Sequence, residues 1–302
     1  MVATRDFVGY GRNPPKVEWP ENALLAVNVV VNYEEGAELC IEFGDPSCNH
    51  IGLDHYGPGR PVAAEHARDL YVENQFEYGS SVGLHRLLGI FNKYGTKATF
   101  FCCGKALDGN PAAAKAIAER GHEIGSHGYR WIPQRTLTRE EEKQHLHRTV
   151  DVIKNLTGNR PVGQLTWGVS LNTRELLVEE GGFLYDSDTI ADDLPYFTEV
   201  QGRKWLLVPY TATADDYRYV EPAGFVEPEE FFKELKATFD QLYKESARVP
   251  KMMSIGLRPR ISGLPARANA VEKFIRYARS HARVWFARRD EIARIWLDQF
   301  AR

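Results

Sequence analysis

The feature that most constrains this chain is a repeated alternation of two hydrophobic periods. Short runs rich in β-branched and aromatic residues occupy 23–33, 97–104, 122–128, 162–168, 183–188, 204–210, 251–257 and 283–288. Between them lie stretches with helical periodicity at 80–94, 110–120, 138–157, 172–181, 228–245 and 265–280, and a last one at 288–300. Strands alternating with amphipathic helices predict βα units on a largely parallel sheet. So many strands predict an α/β fold whose sheet curls into a closed or nearly closed (β/α)7–8 barrel, with an open doubly wound sheet as the alternative. In either arrangement the chemistry stands at the C-terminal strand ends.

Local signals agree with this reading. Thr138 followed by Glu141 is a capping box, and Asn110 before Pro111 suits a helix start. No internal repeat or low-complexity linker interrupts the rhythm, so a single domain over 1–302 is expected. Residues 1–22 form an N-terminal arm whose prolines, in YGRNPPKVEWPEN, predict an extended path over the surface. Residues 36–79, rich in Gly, Pro and His, form a long insertion after the first strand, expected to act as a lid or an oligomer contact.

Charge narrows the partners. Lys plus Arg is 38 and Asp plus Glu 41, a net charge of −3, so no overall basic field argues for nucleic acid or an anionic membrane. No apolar run approaches the roughly 18 residues of a membrane span, and the first residues lack the apolar core of a signal peptide. A cytoplasmic protein acting on a small molecule is the expectation. Cys40, Cys48, Cys102 and Cys103 read as buried thiols, and the Cys48, His50, Asp54, His55 loop matches no standard metal spacing.

The strand ends carry the candidate chemistry. After the first strand come Tyr33, Glu34, Glu35 and Gly36; side chains alternate along a strand, so the glutamates should diverge, one into the barrel mouth and one sideways. After the third come His127, Arg130 and Trp131; after the fourth, Trp167; after the fifth, Asp188; after the seventh, Arg258 and Arg260. Each has a plain alternative: a hydrogen-bonded structural histidine, solvated glutamates, core indoles, arginines paired on the surface. Their convergence on one face is what favours a site.

TKATFFCCGKAL followed by ERGHEIGSHG resembles the polysaccharide deacetylase superfamily, over about Tyr33 to Trp285. The resemblance implies a distorted (β/α)7–8 barrel. It places Glu34 on that family's base aspartate, Glu35 on its metal aspartate and His127 on the first histidine of its S/T-H-x3-H motif. Trp131 stands where the second histidine would be, so a zinc ion would have only Glu35 and His127, fewer than the usual three protein ligands.

Further segments, including NPPKVEWPENALLAVNVVVNYEEGAE, FEYGSSVG, SHGYRWI, TREEEKQH and NTRELLVEEGGFLYDSDTIADDLPY, resemble the metal-independent bacterial allantoinase and cyclic imide hydrolase branch. That similarity implies hydrolysis of a carbon–nitrogen bond in a small cyclic amide, ureide or imide without a cofactor, by a homo-oligomer, expected to be a tetramer. Two places depart from the branch: Trp167-Gly168-Val169-Ser170 replaces a T-G-R-T-S segment, and Arg258 replaces a histidine.

The expected roles follow. Glu34 or Glu35 acts as general base, His127 orients the water or protonates the leaving nitrogen, and Arg258 steadies the oxyanion. Tyr33, Arg130, Trp131, Trp167 and Asp188 are expected to bind substrate. The rivals are a zinc deacetylase of an N-acetylated sugar in carbohydrate metabolism, with Asp188 or the 36–79 loop supplying a ligand, a lyase or decarboxylase taking a carboxylate substrate, and a non-catalytic binder.

Overall fold

The protein is described by a computed structural model over residues 5–48 and 67–301. Its central strand is β1 (Leu25–Tyr33), buried along its whole length. Such a run of Val and Ala suits a strand covered on both faces. β1 pairs in parallel with β8 (Lys251–Leu257), β2 (Thr99–Cys102) and β9 (Val284–Phe286). From β2 the sheet continues through β3 (Glu123–Ser126), β4 (Gly163–Gln164), β5 (Tyr185–Asp186), β7 (Arg203–Leu207) and β6 (Tyr196–Val200).

The curl stops short of closure. Among the described residues no ladder joins β8 to β6 or β7; a lone bridge from Asp215 to Gly256 meets β8 instead. The expected α/β fold is therefore present as a curled half-barrel. One strand was not expected. β6 runs antiparallel to β7 through a Gln201-Gly202 turn, with φ values of 52° and 71° that match a tight hairpin.

Alternation along β1 builds two layers. Leu25, Val27, Val29, Val31 and Tyr33 pack with Leu87, Phe91 and Phe274 in the helical layer. Ala26 and Val30 face the interior with Phe101, Leu206, Met252 and Trp296. At the level of Asn28, between Ala26 and Val30, Arg289, at the start of α10 (Arg289–Phe300), is fully buried. Its donors meet Ser187, Asn28 and Ser254 and the carbonyls of Val208 and Pro209, so the floor beneath the mouth is a hydrogen-bonded plug.

Only residues 13–19 of the arm run without a turn, between a turn at 9–12 and a 3-10 turn over Pro20–Asn22, and part of the arm is buried. Val17 and Trp19 enter the interior core, and the Trp19 ring lies 5.9 Å from that of Trp285. The 36–79 insertion is also more regular than expected. Its end forms α1 (Leu70–Tyr78), capped by Asp69 accepting from the amides of Tyr71 and Val72. A π turn over Gly79–Gly83 then leads directly into α2 (Leu84–Lys93). His50, Asp54 and His55 lie outside the described residues.

α3 (Gly104–Gly109), α4 (Pro111–Ala118), α5 (Arg139–Thr157), α6 (Thr173–Glu180), α7 (Pro228–Ser246) and α9 (Pro265–Arg279) cover the sheet. The Thr138–Glu141 box and the Asn110 cap form as their residues predict. α8 (Pro259–Ser262) is one turn long and follows β8 at the mouth. No helix among the described residues is long and apolar enough to cross a membrane.

Candidate active site

The glutamates after β1 diverge as alternation requires. Glu34 turns into the mouth and Glu35 turns sideways under the π turn, and both are buried. Glu34 Oε1 lies 3.3 Å from His127 Nε2 and 3.6 Å from Arg258 Nε, and its Oε2 lies 2.6 Å from Arg260 Nη2. Glu35 Oε1 accepts from the Arg260 amide at 3.2 Å and its Oε2 from the Glu34 amide at 2.9 Å. Gly79 is what lets Glu35 sit there, since a Cβ at that position would fall 2.6 Å from Glu35 Oε1.

The two carboxylates are driven apart in acidity. Burial pushes Glu34 up, but Arg260, His127 and Arg258 outweigh it and hold Glu34 at about 2. Glu35 is pushed up to about 7, by burial opposed by Arg260 and reinforced by the neighbouring Glu34 charge. A pair split in this way leaves Glu34 as the ionised member near neutrality.

His127 follows β3. Its Nδ1 lies 2.7 Å from the carbonyl of Leu165, which can only accept, so Nδ1 carries a proton and Nε2 is left facing Glu34. Arg258 follows β8 and is anchored from below. Its Nη1 donates to Asp215 at 2.6 Å and to Asp216 at 2.9 Å, and its amide donates to Asp216 at 2.6 Å. Burial pushes Asp216 up to about 6, against the pull of Arg258 and with the Asp215 charge adding to the rise. Arg258 Nε, also buried, has no hydrogen-bond partner and faces the Glu34 carboxylate.

Arg260, which the strand-end reading placed beside Arg258 without a role, is central to the site. Its guanidinium lies 4.7 Å from the ring centres of both Phe76 and Trp131 while pairing with Glu34 and Glu35. The sequence signal is Arg-Pro-Arg: Pro259 at the first helical position bends the chain out of β8, so the second arginine turns back towards β1.

The remaining expected residues stand further from Glu34's contacts. Trp131 is buried and stacks on Trp167 with centroids 4.8 Å apart, so two loops distant in sequence meet. The Tyr33 hydroxyl is 2.7 Å from Ser80 Oγ, on the π-turn side. Arg130 pins the segment after β1 through the carbonyls of Ala37 and Glu38 and the Asp45 carboxylate. Asp188 accepts from the amide and hydroxyl of Thr166, each at 2.8 Å, and burial together with the Asp186 charge pushes it up to about 7.

The residues present do not fit a zinc ion. Glu34, Glu35 and His127 do not cluster as ligands, and the space beside them holds the Arg260 guanidinium and the Trp131 ring. The cluster of Cys40, Glu42 and Glu73 does have ligand-like spacing, but Arg68 pairs with both of its carboxylates. Restoring a histidine by Trp131→His should therefore not create a zinc site. Metal analysis after dialysis against zinc is expected to stay substoichiometric; one zinc per chain would contradict this.

Known proteins agree with this scaffold. The polysaccharide deacetylase family pattern matches residues 67–177. A Schizosaccharomyces pombe protein carrying a polysaccharide deacetylase name is 34% identical over 98% of both chains. The Helicobacter pylori peptidoglycan deacetylase is 30% identical over 72% of this chain and 84% of its own. Among solved structures, PuuE allantoinase is 41% identical with a TM-score of 0.92, over 99% of this chain and 98% of its own. A Pseudomonas aeruginosa PAO1 protein, also described as a polysaccharide deacetylase, reaches 44% and 0.93 over 98% of both chains. With its half-barrel and strand-end carboxylates, this chain belongs to the polysaccharide deacetylase family and is a hydrolase of carbon–nitrogen bonds other than peptide bonds.

Proposed function

We propose that the protein opens a small neutral ring, a cyclic ureide, amide or imide, by hydrolysing a ring carbon–nitrogen bond without a metal. The observation that carries this reading is the Arg258 Nε–H, buried and without a hydrogen-bond partner, facing the Glu34 carboxylate at 3.6 Å, with His127 on the same oxygen. An unused donor beside an ionised carboxylate and an imidazole is the minimum for acyl hydrolysis. The similarity to an allantoinase over nearly the whole chain supports the substrate class.

In this mechanism water sits between Glu34 and the ring carbonyl. Its oxygen attacks the carbonyl carbon while Glu34 takes its proton, and the oxyanion forms against Arg258 Nε. As that N–H turns from Glu34 to the oxyanion, Glu34 loses one of the cations that keep it weakly basic. The carbon–nitrogen bond then breaks, and the proton that Glu34 took from water passes through His127 Nε2 to the leaving nitrogen, which returns Glu34 to its carboxylate.

Charge balance favours a neutral ring over a carboxylate substrate. Arg258 is already engaged by Asp215 and Asp216, and Arg260 by Glu34 and Glu35. Neither of these two guanidinium groups is left uncommitted to draw an anion. The test is Arg258→Ala assayed on five- and six-membered cyclic ureides and imides, with the melting temperature recorded alongside. Loss of one oxyanion donor should lower kcat by about 10² to 10³ with KM little changed; an unchanged kcat would remove Arg258 from the reaction.

A further inference from the structure

Arg260 makes contacts that a core arginine has no need of. Its chain position is fixed from three sides. Pro259 sets the turn of α8, the Arg260 amide donates to Glu35, and the π turn approaches closely enough that a Cβ on Gly79 would lie 2.8 Å from that amide. The guanidinium lies against a corner formed by the rings of Phe76 and Trp131, 4.7 Å from each centre, the two rings being 6.0 Å apart and tilted by 58°. Such a corner backs the fork on one side and leaves its other side to the carboxylates. The fork then spans the two diverging glutamates, 2.6 Å from Glu34 Oε2 and 3.6 Å from Glu35 Oε1.

We propose that Arg260 is a positioning residue: it clamps Glu34 Oε2 so that Oε1 alone is presented to His127, Arg258 and the attacking water. This rests on the hydrolase reading above and adds a residue that never touches substrate. Glu34 has two oxygens of equal chemistry, and without the clamp its carboxylate can rotate to offer either one in several orientations. A carboxylate fixed at one oxygen by a cation backed against two rings has one productive orientation left. The stacking rings thereby acquire a role. Phe76 on α1 and Trp131 after β3 hold the clamp, which links the end of the 36–79 insertion to the reaction.

Arg260→Met keeps an apolar stem against the rings and removes the fork; Arg260→Lys keeps a charge without the planar fork. On a substrate the wild type turns over, Arg260→Met should lower kcat about 10²-fold with KM nearly unchanged, the size expected for a misplaced reacting group. Arg260→Lys should recover part of that loss, and guanidinium chloride below denaturing concentration should partly rescue Arg260→Met. A rise in KM with kcat intact would make Arg260 a substrate ligand and overturn the proposal. So would equal losses in both variants, without rescue, in folded protein. A crystal structure of Arg260→Met keeps the inference testable if no cyclic substrate is ever turned over. Glu34 should leave its 3.3 Å contact with His127; a carboxylate unmoved from that position would overturn the clamp on its own.

Discussion

Glu34→Gln is expected to lower kcat by 10² or more while the fold survives, the loss typical of a missing general base. The amide keeps the shape and one acceptor oxygen, so it can still face His127, but it cannot take a proton from water. It also removes the negative charge on which His127, Arg258 and Arg260 converge. Two buried guanidinium groups would then share one fewer partner. A modest fall in stability should accompany the catalytic loss, because each arginine retains other carboxylates, Asp215 and Asp216 for Arg258 and Glu35 for Arg260. Measuring kcat and the urea midpoint on the same preparation separates the two effects. Wild-type turnover by Glu34→Gln would transfer the base role elsewhere, with Glu35 the next candidate.

Gly83→Ala carries the largest expected stability effect. A Cβ there would lie 2.1 Å from the Pro259 carbonyl oxygen, a backbone atom that cannot swing aside. The π turn and α8 must separate, and overpacking of this kind is expected to cost about 3 kcal/mol. The same contact carries Arg258 and Arg260, so the folded fraction should also lose activity. Gly89→Ala supplies the control. That glycine lies in α2 with nothing within 4 Å of its would-be Cβ, so alanine should stabilise the helix by up to about 1 kcal/mol. Chemical denaturation of both variants checks the pair; a Gly83→Ala protein as stable as wild type would mean that the turn yields without strain.

The π turn explains why part of the site is hard to read in sequence. Gly79, Ser80 and Ser81 look like a helix start, yet they continue a helix begun at Asp69, because glycines are needed where the backbone passes against Glu35 and Pro259. The strand layer was legible because β-branched runs such as Val27–Val31 need two covered faces. Glu34, His127 and Arg258 were legible because each ends a strand. Arg260 was visible at the same strand end as Arg258 but its role was not, since its direction depends on a one-turn helix and on two aromatic rings from separate segments. The β6–β7 hairpin was missed for a related reason: Gln201-Gly202 sets its turn, while the residues around it are only half buried and lack a strong alternation.

The zinc question follows the same logic. Trp131 in place of a histidine is visible in sequence, but only the fold shows what fills the space. A guanidinium clamped between rings and carboxylates occupies the neighbourhood in which a ligand would be needed. The central claim is therefore catalysis by this chain's own glutamate, imidazole and arginines. The most direct test is turnover of a panel of cyclic ureides, amides and imides, with N-acetylated sugars beside them, by chelator-treated and zinc-supplemented enzyme. Equal ring opening in both preparations is the predicted result; activity that appears only with zinc, or only on the acetylated sugars, would contradict it.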